Sequence, residues 1–319
     1  MGKKLSIIIP ARNEPYLRNT VEDIFFNASG DTEVLVMMDG WKPDFPLEEH
    51  SRLKVFHRED PMGMDNAINE LAAQAQGDYL MKLDAHCCFD KGFDEILLEE
   101  MEDNWLVTPS RYRLDVGRWS RFDEPVEYLY VTFPYSNDDI FGTGFHGKKW
   151  IGIDGIGKNM GRSEYYWMER NRKHVKIEDI QTIQGSLWLM SRKHFYDIDG
   201  KDEVHTFFYQ EPQEFTFKTW MIGGRVVLNK NTWYAHWHKP KTGGYGRTKK
   251  MKSEGERFST WVWMNNKWPK AKYDMSWFVN SKFYPMPGWP ANWKTLIRDE
   301  KDFRIFNKGG NDGYKIECL

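Results

Sequence analysis

Asp84 and His86 stand two residues apart, directly after the apolar run Tyr79–Leu83. Across extended chain, residues i and i+2 point the same way, so one ion could take both side chains. A carboxylate with an imidazole suits Mn2+, or Mg2+ as the alternative, better than Ca2+, which prefers all-oxygen shells. Alone, an Asp-x-His triplet equally describes a capping aspartate beside a surface histidine. A second group shifts the balance: Tyr234-Ala235-His236-Trp237-His238 follows another strand-like run and can supply a third ligand. Coordination positions left open by three side chains could hold a diphosphate.

Such residues need a scaffold that delivers them to one place. Leu5–Ile9 is a short apolar, largely β-branched run ended by Pro10, the mark of a buried parallel strand. Residues 15–28 carry Leu17, Val21, Ile24 and Phe25 at helical spacing, with Pro15 suited to a first turn. Glu33–Met38 and Leu53–His57 predict two further strands, residues 64–76 a second helix, and Tyr79–Leu83 a fourth strand. This alternation of strands and helices predicts an α/β chain with a mostly parallel sheet flanked by helices. In such sheets ligands gather beyond the C-terminal strand ends, where Asp39 and Asp84 both fall. From about 104 to 180 the pattern is irregular. Gln184–Met190 then predicts a strand, Glu211-Pro212 opens a helix that Gly223-Gly224 ends, and Arg225–Leu228 begins a last strand.

Composition narrows the class. Aromatic residues at 16% supply more apolar surface than a disordered chain carries, and no run of 18 apolar residues predicts a membrane span. The N-terminus lacks the long apolar region of a signal peptide, so a cytoplasmic protein of a bacterial or phage-infected cell is expected. Cys87, Cys88 and Cys318 show no Cys-x-x-Cys spacing, which argues against a disulfide scaffold or zinc knuckle. The net charge is −2, yet Lys239–Tyr273 holds ten Lys or Arg against two Glu, a basic segment on an acidic body.

Five blocks in order carry a resemblance: SIIIPARNE, LDAHCCFDKGF, TIQGSLWLMSRKHF, EPQEFTFKTWMIGGRV and TWYAHWHK. The chain resembles the GT-A glycosyltransferases of the family-2 class, and within them the catalytic domain of the polypeptide N-acetylgalactosaminyltransferases. The resemblance implies a GT-A (Rossmann-like, nucleotide-sugar-binding) domain over 1–240. A basic, aromatic-rich extension over 241–319 would serve as lid or acceptor-binding part. It implies a UDP-sugar donor and Mn2+ (or Mg2+) held by Asp84, His86 and His236, with His238 as fallback. Pro10, Ala11, Asn13, Glu14, Asp39, Gly63, Asn66, Asp84, Gly185 and Lys239 would line the nucleotide-sugar pocket, Asp39 against the uracil or ribose.

Glu211 and Glu214 match the two acidic positions of the family's Glu-x-x-Glu segment, facing sugar and acceptor, though either also suits a helix N-terminus. Inverting members place an aspartate after the first glutamate; here Pro212 stands there, which points to retention. Asn66 and Met38 depart from the family's arginine and aspartate, so the sugar is not readable. Lys239, Lys241 and Arg247, with Gly243, Gly244 and Gly246 as hinge, could close over the phosphates.

Relatives of this kind carry a lectin domain and a membrane anchor, and neither is expected here. Lys and Arg interleaved with Trp261, Trp263, Trp268, Trp277 and Phe278 suit a nucleic-acid groove, a carbohydrate platform or a packed subdomain. A hydroxymethylated DNA base reached through residues 239–273 is therefore one candidate acceptor. A protein Ser/Thr hydroxyl and a surface glycan are others, and a non-catalytic nucleotide-sugar or nucleic-acid binder is the competing class. The stretch Gly142–Lys148 satisfies Gly-x-Gly-x-x-Gly, but Lys149 sits where a P-loop needs Ser or Thr, so it is read as an active-site or acceptor loop.

Overall fold

The computed structural model describes residues 4–123, 125–126, 129–135, 143–149, 174–202, 210–239, 249–283, 286, 288–297, 303–307 and 314–318, with backbone alone at 149, 249–254, 303–307 and 314–318. The chain opens as β1 (Leu5–Ala11), α1 (Leu17–Asn27), β2 (Thr32–Asp39), β3 (Leu53–Arg58), α2 (Met64–Gln74) and β4 (Tyr79–Leu83). β5 (Cys87–Phe89), α3 (Phe93–Glu99), β6 (Trp105–Asp115) and β7 (Ser120–Arg121) follow, then the antiparallel pair β8 (Leu129–Val131) and β9 (Gly147–Lys149). β10 (Ile177–Asp179), β11 (Leu187–Ser191), α4 (Arg192–Asp197), α5 (Glu211–Met221) and β12 (Arg225–His236) complete the sheet region. Beyond it lie α6 (Lys249–Met264) and the pair β13 (Phe303–Asn307) and β14 (Tyr314–Cys318).

Ten strands form one sheet, with the main path β10-β12-β6-β11-β4-β1-β2-β3. The half from β4 to β3 is parallel throughout, as the alternating pattern predicts. The other half is mixed: β11 runs antiparallel to both β4 and β6, while β6 and β12 are parallel. Alternation along β1 explains its unbroken apolar run. Leu5, Ile7 and Ile9 pack on one face with α1 and α3, and Ile8 packs on the other with α2, so both faces are covered. Each such fully buried aliphatic side chain contributes about 1.5–3 kcal/mol.

Two elements differ from the sequence expectation in ways that matter. β12 begins at Arg225 as expected, but it continues through a register shift between Asn229 and Trp233 and carries Tyr234–His236 within the strand, where the sequence placed them after it. The basic region past residue 248 contains the sixteen-residue α6, whose Phe258, Val262, Trp263 and Met264 join Phe215, Phe217, Trp220 and Met221 of α5 in one core. Trp289 and Trp293 pack into that core as well, so these tryptophans of the 241–319 part are packing residues. Among the described residues no helix is long and apolar enough to cross a membrane.

Candidate metal and donor site

The C-terminal ends of β1, β4 and β12 and the N-terminal end of the antiparallel β11 meet at one edge of the sheet. Asp84 leaves β4 and is fixed by its amide, which donates to the carbonyl of Ser186 at 2.9 Å. The chain does not stay extended there. The His86 amide donates back to the Asp84 carbonyl at 2.8 Å, a three-residue turn that folds both side chains inward. His236 arrives from the end of β12, where it pairs with Cys87 of β5 and Arg113 of β6. One ligand atom from each of Asp84, His86 and His236 lies within 4.8 Å of the others. The two histidine Nε2 atoms are 3.0 Å apart, and Asp84 Oδ2 is 3.2 Å from His236 Nε2 and 4.0 Å from His86 Nε2.

The surroundings tune these groups. His86 Nδ1 meets Glu14 Oε2 at 2.9 Å, which fixes the proton on Nδ1 and turns the Nε2 lone pair toward His236. Glu14 also pairs with Lys239. Burial pulls His236 down to about 3 against the opposing hydrogen bond to Asp84, so the imidazole is neutral at pH 7. Burial pushes Asp84 up, but the Lys82 ammonium and then His236 outweigh it and hold the carboxyl well below its ordinary range. One carboxylate and two imidazoles form a donor set that fits a divalent transition-metal ion such as Mn2+. The buried His236 Nδ1, without a hydrogen-bond partner, is the position a water would serve when the ring ligates through Nε2.

Lys82 is a functional residue the sequence reading missed. Its Nζ is fully buried and donates to Asp84 Oδ1 at 2.8 Å and to the Gly185 carbonyl at 2.5 Å, with Glu211 Oε2 at 3.4 Å. The signal was there: a lysine inside the apolar run YLMKL must find carboxylates or disrupt the strand. Burial pulls the ammonium down, yet Asp84 and Glu211 outweigh it and keep it charged. Glu211 accepts from Trp188 Nε1 at 2.6 Å, and burial raises its carboxyl to about 7. A Cβ on Gly185 would stand 3.3 Å from Glu211 Oε2, which leaves little room for a side chain there.

Other expected pocket residues have different occupations. Asp39 is fully buried and accepts from Arg58 and from the amides of Met62 and Gly63, each at 2.9 Å, so it shapes the 61–63 loop; contact with a base or ribose would need that loop to move. Gly40 beside it has φ +63, and a Cβ would come 2.7 Å from Pro61. Asn66 accepts from Arg58 at the start of α2. Pro10 and Ala11 are buried in β1 against Met37 and Met38, while Asn13 is exposed in the loop that presents Glu14.

Glu214 sits in an ion-pair cluster with two lysines. Its carboxylate, 0% exposed, takes Lys201 Nζ at 2.5 Å, Lys218 Nζ at 2.7 Å and the Asp202 amide at 2.7 Å. His238 is turned to Arg111, whose Nη2 donates to His238 Nε2 at 3.0 Å, while His236 occupies the cluster. Of the loop 142–148, Gly142 lies outside the described residues. Gly144 and Phe145 are clasped by Thr260 and Gln210, and Phe145 sits in the core. Lys241, Arg247 and the glycines 243, 244 and 246 lie outside the described residues.

Comparison with known proteins gives the family and the fold. Mouse (Mus musculus) polypeptide N-acetylgalactosaminyltransferase 3 is 25% identical over 250 residues, 70% of this chain and 35% of that protein. Human (Homo sapiens) polypeptide N-acetylgalactosaminyltransferase 12 is 28% identical over 200 residues, 60% of this chain and 30% of that protein. The chain thus spans about a third of the length of these curated relatives. The crystal structure of GalNAc-T7 with UDP, GalNAc and Mn2+ superposes with a TM-score of 0.60 at 17% identity, covering 83% of this chain and 49% of that one. That likeness is one of fold, the GT-A arrangement of sheet and flanking helices. Residues 6–199, more than half the sequence and including β1, Asp84 and His86, match glycosyl transferase family 2, and to that family this chain belongs.

Proposed function

We propose that this chain is a glycosyltransferase that takes a sugar from a UDP-sugar and passes it to a hydroxyl acceptor, with the donor diphosphate seated at Asp84, His86 and His236. The observation that supports it is the convergence of Asp84 and His86 with His236, 150 residues beyond His86 in sequence, at the ligand-binding edge of a GT-A sheet. When bound there, a divalent ion supplies Lewis-acid neutralisation of the diphosphate charge. The protein holds Asp84 ionised through Lys82 and the His236 imidazole neutral, a state suited to binding a cation. Glu14 orients His86 from behind.

Retention is the stereochemical outcome this reading favours. Pro212 follows Glu211 where a basic carboxylate would be needed for inversion, and Glu211 is engaged by Lys82 and Trp188. As the bond from sugar C1 to the diphosphate oxygen breaks, that oxygen receives the acceptor proton, and the acceptor oxygen bonds to C1 on the same face. The curated relatives' name, polypeptide N-acetylgalactosaminyltransferase, makes a Ser/Thr hydroxyl the first acceptor to test. Hydroxymethyl-pyrimidine DNA is the second, because of the basic segment 239–273. UDP release would be measured over a panel of UDP-sugars with Mn2+ and again with EDTA, with peptide, with DNA and without acceptor. Release that needs Mn2+ and rises with an acceptor is the expected result. No release from any donor would overturn the reading.

A further inference from the structure

Arg111 is a buried permanent cation that the site chemistry above leaves unused. It lies on β6 opposite Tyr234 of β12, in a parallel register that places Arg113 opposite His236. Paired residues on neighbouring strands share a face, so Arg111, Tyr234 and His236 line the same side of the sheet. Tyr234 Oη meets Ser186 Oγ at 2.8 Å, and the carbonyl of Ser186 accepts from the Asp84 amide. His238, the acceptor of Arg111 Nη2, has its ring centroid 5.2 Å from that of His236. The guanidinium therefore stands beside the metal-ligand cluster, one histidine away.

Its own hydrogen bonding is incomplete. Arg111 is 6% exposed, its Nε is buried without a partner, and among the described residues no carboxylate pairs with it. A guanidinium has five N–H donors and cannot release its proton, and an uncompensated buried charge costs several kcal/mol. The neighbouring acids are already engaged. Asp84 binds Lys82 and His236, Glu14 binds His86 and Lys239, and Glu211 binds Trp188 and Lys82. Each other cation of the cluster has its anion, and Arg111 is the one left over. What would complete it is an anion brought by a ligand.

We propose that Arg111 binds the β-phosphate of the donor diphosphate, acting from the β6 side of the site while the Asp84–His86–His236 group acts from the other. This rests on the donor reading above. The planar guanidinium fork matches phosphate oxygens two at a time, and its charge offsets the negative charge that grows on the diphosphate as the sugar departs.

The test is calorimetric binding of UDP, UMP and inorganic pyrophosphate to the Mn2+-loaded chain, wild type against Arg111→Met and Arg111→Lys. Circular dichroism and melting would confirm the folded state of each variant. Arg111→Met is expected to weaken UDP and pyrophosphate by about 10- to 100-fold, in keeping with a charge-assisted hydrogen bond, and UMP by less than about 3-fold. Arg111→Lys should recover part of the loss, which keeps the test decisive if the methionine variant folds poorly.

Unchanged UDP affinity in a folded variant, or equal losses for UDP and UMP, would overturn the proposal. The two readings separate cleanly. A wild-type chain that binds pyrophosphate with Mn2+ through Arg111 but ignores UDP would refute the UDP donor and keep Arg111 as a diphosphate ligand. A wild-type chain that binds UDP with no dependence on Arg111 would do the reverse.

Discussion

Glu211 and Glu214 enter the structure on the same first turn of α5 and end in two buried charge clusters of opposite character. Around Glu214 the cluster is closed. Lys201 and Lys218 both donate to it, Lys218 is also held by the Gly200 carbonyl, and Lys201 reaches Asp65 at 3.2 Å. Burial pulls the Lys201 ammonium down, but Asp65 and Glu214 outweigh it and keep it charged. On the Glu211 side the cluster is open. Lys82 links Glu211 to Asp84, two imidazole nitrogens face each other at 3.0 Å, and His236 Nδ1 and Arg111 Nε stay buried and unpartnered. A closed cluster sets each ammonium against a carboxylate and fixes the fold. An open one leaves donors and lone pairs for a ligand, and holding it so costs stability that the rest of the core supplies.

Breaking the open cluster should abolish function and spare the fold. Asp84→Ala is expected to lower Mn2+-dependent UDP release by about 10^3-fold with little change in circular dichroism. Unchanged turnover in that variant would remove Asp84 from the site. Breaking the closed cluster should do the opposite. Glu214→Gln leaves Lys201 and Lys218 short of an anion and should destabilise the fold by about 3–5 kcal/mol, read in urea melts, while turnover per folded molecule stays near wild type. A variant with full stability and collapsed kcat would instead make Glu214 a catalytic group.

Glu14 tests how far the open cluster extends. Glu14→Gln should weaken Mn2+ binding by about 10- to 100-fold, measured by calorimetry, because His86 loses the carboxylate that fixes its tautomer. Equal Mn2+ affinity would confine Glu14 to its pairing with Lys239. The smallest effect lies outside both clusters. Burial holds His194 down to about 4, against 6.5 for an ordinary histidine, and its Nε2 meets Thr219 at 3.0 Å. Since the folded state disfavours the proton, the contribution of neutral His194 is complete above pH 6.5 and is lost as pH falls toward 4. Wild type should therefore lose up to about 1.4 kcal/mol per pH unit more than His194→Gln across that window. Parallel stability curves would refute the assignment.

The open cluster was the more legible of the two from sequence. Asp84 and His86 follow a strand whose ends were readable to the residue, and the parallel half of the sheet follows from β-branched runs alternating with helical spacing. The geometric reason given for the pair was different from the one observed: the chain turns back at Asp84 instead of running on extended. The closed cluster was illegible because Lys201 and Lys218 gain meaning only from long-range packing against Glu214. α6 was also missed, although Phe258, Trp261, Val262 and Met264 were there to suggest a buried face; a segment weighted by its lysines hides that stripe. β12 is longer than the expected strand because the structure absorbs Asn229–Thr232 in a register shift, after which the strand runs on and sets His236 beside Cys87.

The most direct test of the account is a Mn2+ titration followed by electron paramagnetic resonance, on wild type and on His236→Ala. The free-ion signal of wild type should be quenched up to one equivalent, with tighter uptake when UDP is present, and His236→Ala should lose that uptake while remaining folded. A wild-type chain that leaves the Mn2+ signal untouched, or a His236→Ala variant that binds as well as wild type, would contradict a metal site at Asp84, His86 and His236.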